Sequence, residues 1–523
     1  MSYEVVVVGA GLGGLTTAAL LAARGVSVCV VERESYAGGC VAAVEKFGYT
    51  FEPTAGLYRG FGAGGIIERV FAELPVEPPE ARKVFPAYTV RTADGAQVRV
   101  GSEDEGEADA DLCLAFPECA GLAVGFFREL SRVAEARRGR ERTPISSRHE
   151  PPRRRFSLFG KRRDAREEEE GDALLAAARG QTVAGRLEGA PARFRRFVDA
   201  QLQLFALCAG EECSVATAAE VFAHARRAHY AIEGGAAALA DALVESVRRS
   251  GGTVRFDTTA LRLAEPAHLS ATGVVLLSGE TVRATRAVVS NLTAWDTYGK
   301  LARAAPSGSD ERARLKALRG WGAYLVLFGV DEEAASRLPS TRVVALADAG
   351  DDAEAGESAT FDPTRDLFAL NVAPAWDARA PAGKRAATLA AFADSAEWFA
   401  YHEDEEEHEA QDSRALEFWW GRLHAALPEL GAGAEVIETL TPRGYYERTR
   451  RRLGAVWGVA RTREVVYGDV FDHLPRPPNL HLVGDTAAGA NGVASVAEHA
   501  LEVADEIAPP RKKTMKEERG TMK

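Results

Sequence analysis

The chain has 523 residues, 46% of them apolar, and a formal net charge of −12. That length predicts roughly two to four domain-sized units with substantial cores, and the acid excess excludes a general nucleic-acid binder, which would be basic. The six cysteines, Cys29, Cys40, Cys113, Cys119, Cys208 and Cys213, form no CxxC pair and fit no zinc-ligand spacing, so free, partly buried thiols and no metal are expected. No stretch reaches the roughly 20 apolar residues needed to span a bilayer, and the first residues lead into a strand rather than a signal peptide. A cytoplasmic protein is expected, with a peripheral contact to the cytoplasmic membrane left open.

In chain order, valine-rich residues 5–8 and 26–31 read as two strands, and Leu15–Arg24 between them reads as an alanine- and leucine-rich helix. Residues 84–100 read as a hairpin turned at Asp94 and Gly95. The acidic stretch 101–111 shows no apolar face. Residues 131–170, rich in proline, arginine and serine, show no period and read as a long flexible insertion. Phe156, Leu158 and Phe159 sit among arginines there, in a solvated loop or a membrane-surface contact.

Residues 172–247 read as mostly helical. Phe194, Phe197, Val198, Leu202 and Phe205 recur at three- and four-residue spacing and form one apolar stripe. That stripe is either core or the lining of a site for an apolar molecule. Strands follow at 251–256 and 273–291, the latter turned at Ser278 and Gly279. A helix is expected at 309–318 and strands at 322–330, 366–373 and 386–391. The charged run 402–412 reads as a solvated stretch or helix end, and 413–426 as helix. Residues 479–507 return to strand, turn and helix, and a basic tail closes the chain.

Gly9, Gly11 and Gly14 form GxGxxG between the first strand and the first helix, with Leu12 and Gly13 inside the same loop. Gly9 permits a tight turn, Gly11 lets backbone approach a pyrophosphate, and Gly14 lets the helix pack on the strand. The helix N-terminus then offers free N–H groups to phosphate. Glu32 ends the second strand, where an acidic side chain accepts hydrogen bonds from ribose hydroxyls. Three features favour FAD over NAD. Gly38 and Gly39 follow Glu32 closely and bring backbone near the pyrophosphate from a second side. The other GxGxxG, at Gly60, Gly62 and Gly65, follows no predicted strand, so no second site for a nicotinamide cofactor is read. A further strand ends at Gly484 and Asp485 and is followed by a glycine-led helix, so one long ligand would touch both ends of the chain. Asp485 also suits a turn or helix-cap role, and Glu498 and His499 suit an exposed helix.

The order and spacing of several segments carry a resemblance. They are the opening "VVVVGAGLGGLTTAALLAARGVSVCVVERESYAGG", "YAIEGGAAALADALVESVRRSGGTVRFDTTALRL" at 230–263 and "TRAVVSNLTAWDTYGKL" at 285–301. "DARAPAGKR" at 377–385, "TPRGYYERTRRRLGAVWG" at 441–458 and the 479–507 segment complete them. The chain resembles the phytoene desaturase and carotenoid isomerase flavoproteins, within the amine-oxidase-like FAD superfamily. The resemblance implies that Arg33, Gly38 and Gly39 adjoin FAD beside Glu32, and that Ala260 offers backbone to the adenine side. It implies further that Asp485 lies near the ribityl-pyrophosphate and that Gly492 and Val493 lie close to the isoalloxazine. This sequence departs from the family pattern at Cys40, at Glu52 and Thr54, and in "GDTAAGANGVASV", which lacks a proline-rich turn.

The expected fold is α/β. A Rossmann-like FAD-binding domain is built from both ends of the chain, with a mixed sheet-plus-helices substrate domain inserted. Its parts are residues 1–85, 231–300 and 441–508 for FAD, 86–230 and 301–440 for substrate, and 509–523 as the tail. The resemblance implies hydride transfer between an isoprenoid polyene and flavin, with oxygen or a quinone as electron acceptor. Isomerase, saturase or oxygenase-like chemistry is the neighbouring alternative. An amine-oxidase-like enzyme, with Tyr446 and Trp457 as its aromatic pair, and a non-catalytic flavin-binding protein are the more distant ones. No His/Asp or Ser/His constellation stands out, so no catalytic residue is assigned.

Overall fold

The computed structural model describes all residues except 103, 142–160, 266–269, 303–308, 348–359, 401–403, 469–476, 488–491 and 511–523. Ser2–Val8 is the centre of a seven-stranded sheet. It pairs in parallel with Val28–Val31 on one side and Thr281–Ser290 on the other. Thr253–Arg255 extends the first side, again in parallel. Thr281–Ser290 pairs in parallel with Leu480–Leu482 near its C-terminal end and antiparallel with Gly273–Leu276 near its start. Val5 to Val8 are buried, as expected of a central parallel strand covered on both faces. Start, middle and end of the chain therefore share one sheet.

The first helix, Leu12–Ala23, begins three residues earlier than its apolar run suggested, because Gly11 already serves as its N-cap. It is buried from Gly13 to Ala22, and its neighbours include the helices Gly235–Arg249 and Val493–Ile507. Gly235–Arg249 turns Leu239, Ala240, Leu243, Val244 and Val247 inward at helical spacing.

A second seven-stranded sheet runs in the order 434–440, 322–331, 384–393, 367–372, 342–346, 88–91, 97–100. Its pairs are antiparallel except for the parallel contact of Arg342–Leu346 with Tyr88–Arg91. Alternation divides its faces. Tyr324, Val326 and Phe328 share a core with Trp419 and Leu423 of the helix Glu405–Ala426. Ala323, Leu325 and Leu327 share one with Tyr49, Phe51 and Tyr445.

A helical layer completes the molecule, and its core holds Phe116, Phe126, Phe127, Phe194, Phe197 and Phe222, several of them edge to face. The flexible reading of 131–170 needs correction at both ends. Helices run over Ala120–Glu141 and Lys161–Gly180. Dense arginine and glutamate hide the period there, yet Val133, Ala134, Leu175 and Ala178 are buried, and the flanking residues are good helix formers. Phe156, Leu158 and Phe159 lie outside the described residues. The acidic run near residue 101 also folds, as the helix Glu105–Ala115. Asp104 caps it by accepting from the Gly106 amide at 2.7 Å, and Leu112 and Ala115 supply buried residues. The run 405–412 opens the helix Glu405–Ala426, with Glu405, Glu406 and Glu407 at its positive end. Among the described residues no single helix is long and apolar enough to cross a membrane.

Candidate active site

One cavity of about 1110 Å³ runs from the glycine loop into the helical layer. Ordinary small-molecule sites measure roughly 300–1,000 Å³, so the cavity is large enough for a dinucleotide. Gly9, Gly11, Leu12 and Gly13 line it, as do Glu32, Arg33, Gly38, Gly39 and Ala260. Gly484, Asp485, Gly492 and Val493 complete the set of sequence-derived residues that it gathers. Gly14 lies beneath the loop instead. A Cβ there would stand 2.3 Å from the Gly9 carbonyl oxygen and 3.2 Å from Val7, which is the close helix–strand packing expected of this glycine.

Two helices open on this cavity without a side-chain cap. Gly11 precedes the first and Gly492 precedes Val493–Ile507. The first-turn N–H groups of a helix have no intrahelical partner and carry partial positive charge, so both ends suit an anionic or electron-rich ligand. The two glycine segments also meet. The Gly38 amide donates to the Ala10 carbonyl at 2.8 Å, and a Cβ on Gly39 would lie 3.5 Å from the Gly11 Cα. Gly9 and Gly38 have φ of +97° and +106°, conformations that side-chain-bearing residues rarely adopt.

Glu32 is held at the strand end. Its Oε2 accepts from the Ala10 amide at 2.6 Å and its Oε1 from the Glu34 amide at 2.9 Å. Burial pushes its carboxyl above the usual range, against the pull of those two amides. Asp485 is not a cap. Its carboxylate receives the Arg451 guanidinium in a forked contact, the shortest arm 2.9 Å. Burial opposes the Arg451 charge, but Asp485, helped by Cys40 and Asp296, raises the arginine's pKa on balance.

Two contributors were not legible in the sequence. Asn291 ends the strand Thr281–Ser290, and its amide donates to the Val8 carbonyl at 2.8 Å. A Cβ on Gly11 would stand 2.4 Å from Asn291 Nδ2, and Cβ atoms on Gly13 and Gly484 would stand 2.7 and 3.1 Å from its Oδ1. One side chain thus fixes the spacing of three glycines. The available signal was its place at the C-terminal end of a parallel strand, where ligands of this fold collect. Arg451 is the second. It is one arginine in the run 448–452, and only the fold shows which of them meets Asp485.

The departure at Glu52 also finds its cause. Buried Glu52 accepts from Tyr58 Oη, from the Ala236 amide at 2.9 Å and from Asn371 Nδ2 at 3.0 Å, with Arg379 at 3.5 Å. Arg379 in turn meets Asp377 at 2.7 Å. The segments around 49–58, 230–239 and 377–385 therefore converge on one buried polar cluster behind the cavity wall.

The far end of the cavity is lined by Leu57, Leu204, Phe205, Val456 and Trp457. The helical stripe thus serves both of its possible roles. Phe194, Phe197, Val198 and Leu202 are fully buried core, while Leu204 and Phe205 face the cavity. Tyr446 and Trp457 both line it, but each ring packs on another. Trp457 lies 4.8 Å from Phe392 and Tyr446 lies 5.5 Å from Phe399, centroid to centroid.

A family model for flavin containing amine oxidoreductases matches residues 12–508. The chain belongs to that family. Among relatives of this family member, the chloroplastic prolycopene isomerase of Arabidopsis thaliana is 25% identical over 303 residues, 57% of this chain and 49% of the relative. The phytoene dehydrogenase of Streptomyces griseus is 36% identical over 132 residues, 24% of each chain. The chain spans about half the length of the prolycopene isomerases it matches. An oxidoreductase from Methanosarcina mazei shares the fold with a TM-score of 0.59 at 18% identity, covering 97% of this chain and 100% of its own. Wild-type putrescine oxidase bound to putrescine does so at 0.58 and 15%, covering 97% and 99%. Both sheets of the expected α/β architecture, and the insertion of the second between parts of the first, agree with that fold.

Proposed function

We propose that the protein is an FAD-dependent oxidoreductase that removes hydride from an isoprenoid polyene or a similarly apolar chain. The observation that carries this reading is one cavity with two chemically different ends. Its first end offers two uncapped helix starts, closely packed glycines and the Glu32 carboxylate. Its second end offers Leu57, Leu204, Phe205, Val456 and Trp457. The residues present fit FAD. Gly9, Gly11, Gly13, Gly38 and Gly39 would hold the pyrophosphate, Glu32 the ribose, Ala260 the adenine side, and Gly492 and Val493 the ring end. Arg33, Gly484 and Asp485 would adjoin the linker.

The chemistry a bound flavin supplies is acceptance of a hydride equivalent. Loss of that hydride from an allylic carbon, and of a proton from the carbon beside it, leaves a new C=C bond. The two electrons pass on to oxygen or a quinone. The chain's own part is to orient the apolar substrate and exclude water. Tyr58 is no base for the proton. Burial and the Glu52 carboxylate raise its pKa well above that of a free tyrosine. The names of the prolycopene isomerase and phytoene dehydrogenase relatives support a polyene. Such a substrate dissolves in lipid, so a peripheral membrane contact belongs to the same reading.

The test is anaerobic mixing of the flavin-loaded protein with detergent-dispersed phytoene or lycopene isomers, and separately with alkyl amines. Bleaching of the flavin band by a polyene is expected. Bleaching by amines alone would overturn the substrate reading.

A further inference from the structure

Arg59 lines the cavity two residues after Leu57. Every other cavity-lining cation that the structure describes has a visible partner. Arg33 meets Glu34, Arg451 meets Asp485 and Lys300 meets Asp296. Arg262 and Arg448 donate to backbone carbonyls, and Arg450 lies over the Tyr446 ring. Arg59 makes no hydrogen bond, ion pair or ring contact with any described residue, although it is largely buried. Burying an unpaired charge is costly, and a guanidinium cannot escape that cost by losing its proton.

The position is fixed by backbone. The Tyr230 amide donates to the Tyr58 carbonyl at 2.9 Å, which sets Arg59 beside the turn that ends the helix Val215–Ala225. The charges that act on it are Arg227, Glu498 and Glu220. Burial and the Arg227 cation push the Arg59 pKa down to about 10, against the pull of the two acids. Glu220 is already taken. It accepts from Arg461 at 3.0 Å and Arg137 at 2.5 Å. Glu498 is on the exposed face of the last helix. Positive charge is therefore left over on the cavity wall.

We infer that Arg59 receives a carboxylate at one end of an otherwise apolar substrate. One free guanidinium fork matches one carboxylate in geometry and in charge. Leu57, Leu204 and Phe205 cover the chain of that substrate while its acid end marks the depth to which it enters. The register of the reacting carbons then follows from the distance to the charge rather than from apolar contact alone, which discriminates poorly along a uniform chain. This inference rests on the proposed reading of the site, because it names the class of apolar molecule the site accepts.

The test uses two probes of equal length, all-trans-retinoate and all-trans-retinol. Each is titrated into the purified flavin-loaded protein, with quenching of the protein's tryptophan fluorescence, Trp457 among the cavity lining, and perturbation of the flavin band as readouts. A charge-assisted, desolvated pair predicts a preference for retinoate of about 30-fold. Arg59→Gln should reduce that preference below about 3-fold with flavin content unchanged, and Arg59→Lys should fall between the two, since it keeps charge and loses the fork. Equal binding of both probes by the wild type would overturn the inference, as would a preference that survives Arg59→Gln. Loss of flavin from Arg59→Gln with the preference intact would assign Arg59 to the cofactor instead. If Arg59→Gln fails to fold, the wild-type preference and its reduction in Arg59→Lys decide the matter. Bleaching by an uncharged polyene without any acid preference would uphold the proposed function and sink this inference alone.

Discussion

At the nucleotide cradle, Gly9, Gly11, Gly13 and Glu32 fall within one strand–helix–strand unit, and most of what a ligand would meet there is backbone. At the opposite end of the cavity, Leu57, Leu204, Phe205 and Trp457 come from three distant parts of the chain, and a ligand would meet side chains. The cradle's geometry is specified by where a side chain is missing. A Cβ on Gly11, Gly13 or Gly14 would strike Asn291 or the Gly9 carbonyl. The far end is specified by which side chains the helical layer happens to turn inward. The first kind of site leaves a spacing in the sequence, and the second leaves only a periodicity that core residues share.

That contrast yields graded predictions. The largest effect should come from Glu32→Arg, which replaces an acceptor at the strand end with a bulky donor. Purified protein should lose most of its flavin, measured as the ratio of visible to ultraviolet absorbance, and wild-type stoichiometry would remove Glu32 from the cradle. Next is Arg451→Met, which leaves the partly buried Asp485 without its cation. A loss of about 3–5 kcal/mol in denaturant unfolding is expected for breaking such a pair. The helical stripe gives a paired comparison. Phe197→Ala should cost about 3–5 kcal/mol by opening a cavity in the core. Phe205→Ala should cost under about 1 kcal/mol, because part of its surface already faces the cavity, yet it should weaken retinoate and retinol binding alike.

The smallest effect concerns pH. Burial lifts the Asp199 carboxyl to about 6, while the Gly210 amide, bonded to it at 2.7 Å, pulls the other way. Its folded pKa thus lies above its unfolded value. Between about pH 4 and 6 the folded state holds a proton that the unfolded state releases, so this site's contribution falls as pH rises through that window and stays level above it. Asp199→Asn keeps the acceptor and removes the charge. It should gain about 1–2 kcal/mol at pH 8 and nothing below pH 4. Flavin content should not change, which separates this buried acid from Glu32.

The sequence made the cradle legible because chain-local rules govern it. A tight turn needs glycine, a helix start needs open N–H groups, and a strand end places Glu32. Even the contribution of the distant C-terminal segment showed through its own glycines. Asn291 escaped because its role is to fill the space that glycines leave, and no local rule demands asparagine there. The helical stretches 131–141 and 161–170 escaped for a different reason. Arginine and glutamate dominate their composition, so the few buried positions, such as Val133 and Ala134, do not stand out as a stripe. Arg59 was invisible because an unpaired arginine is identified only by its surroundings. Glu52 was noticed as a departure, but its meaning required Asn371 and Arg379, each more than three hundred residues away.

The central claim is that the cradle holds FAD, and it is tested most directly by the cofactor itself. The purified protein's visible spectrum should show bands near ~370 and ~450 nm, and denaturation should release FAD identified by chromatography, since the colour belongs to the flavin. Release of NAD without flavin, or a colourless protein that FAD cannot reconstitute, would contradict the account.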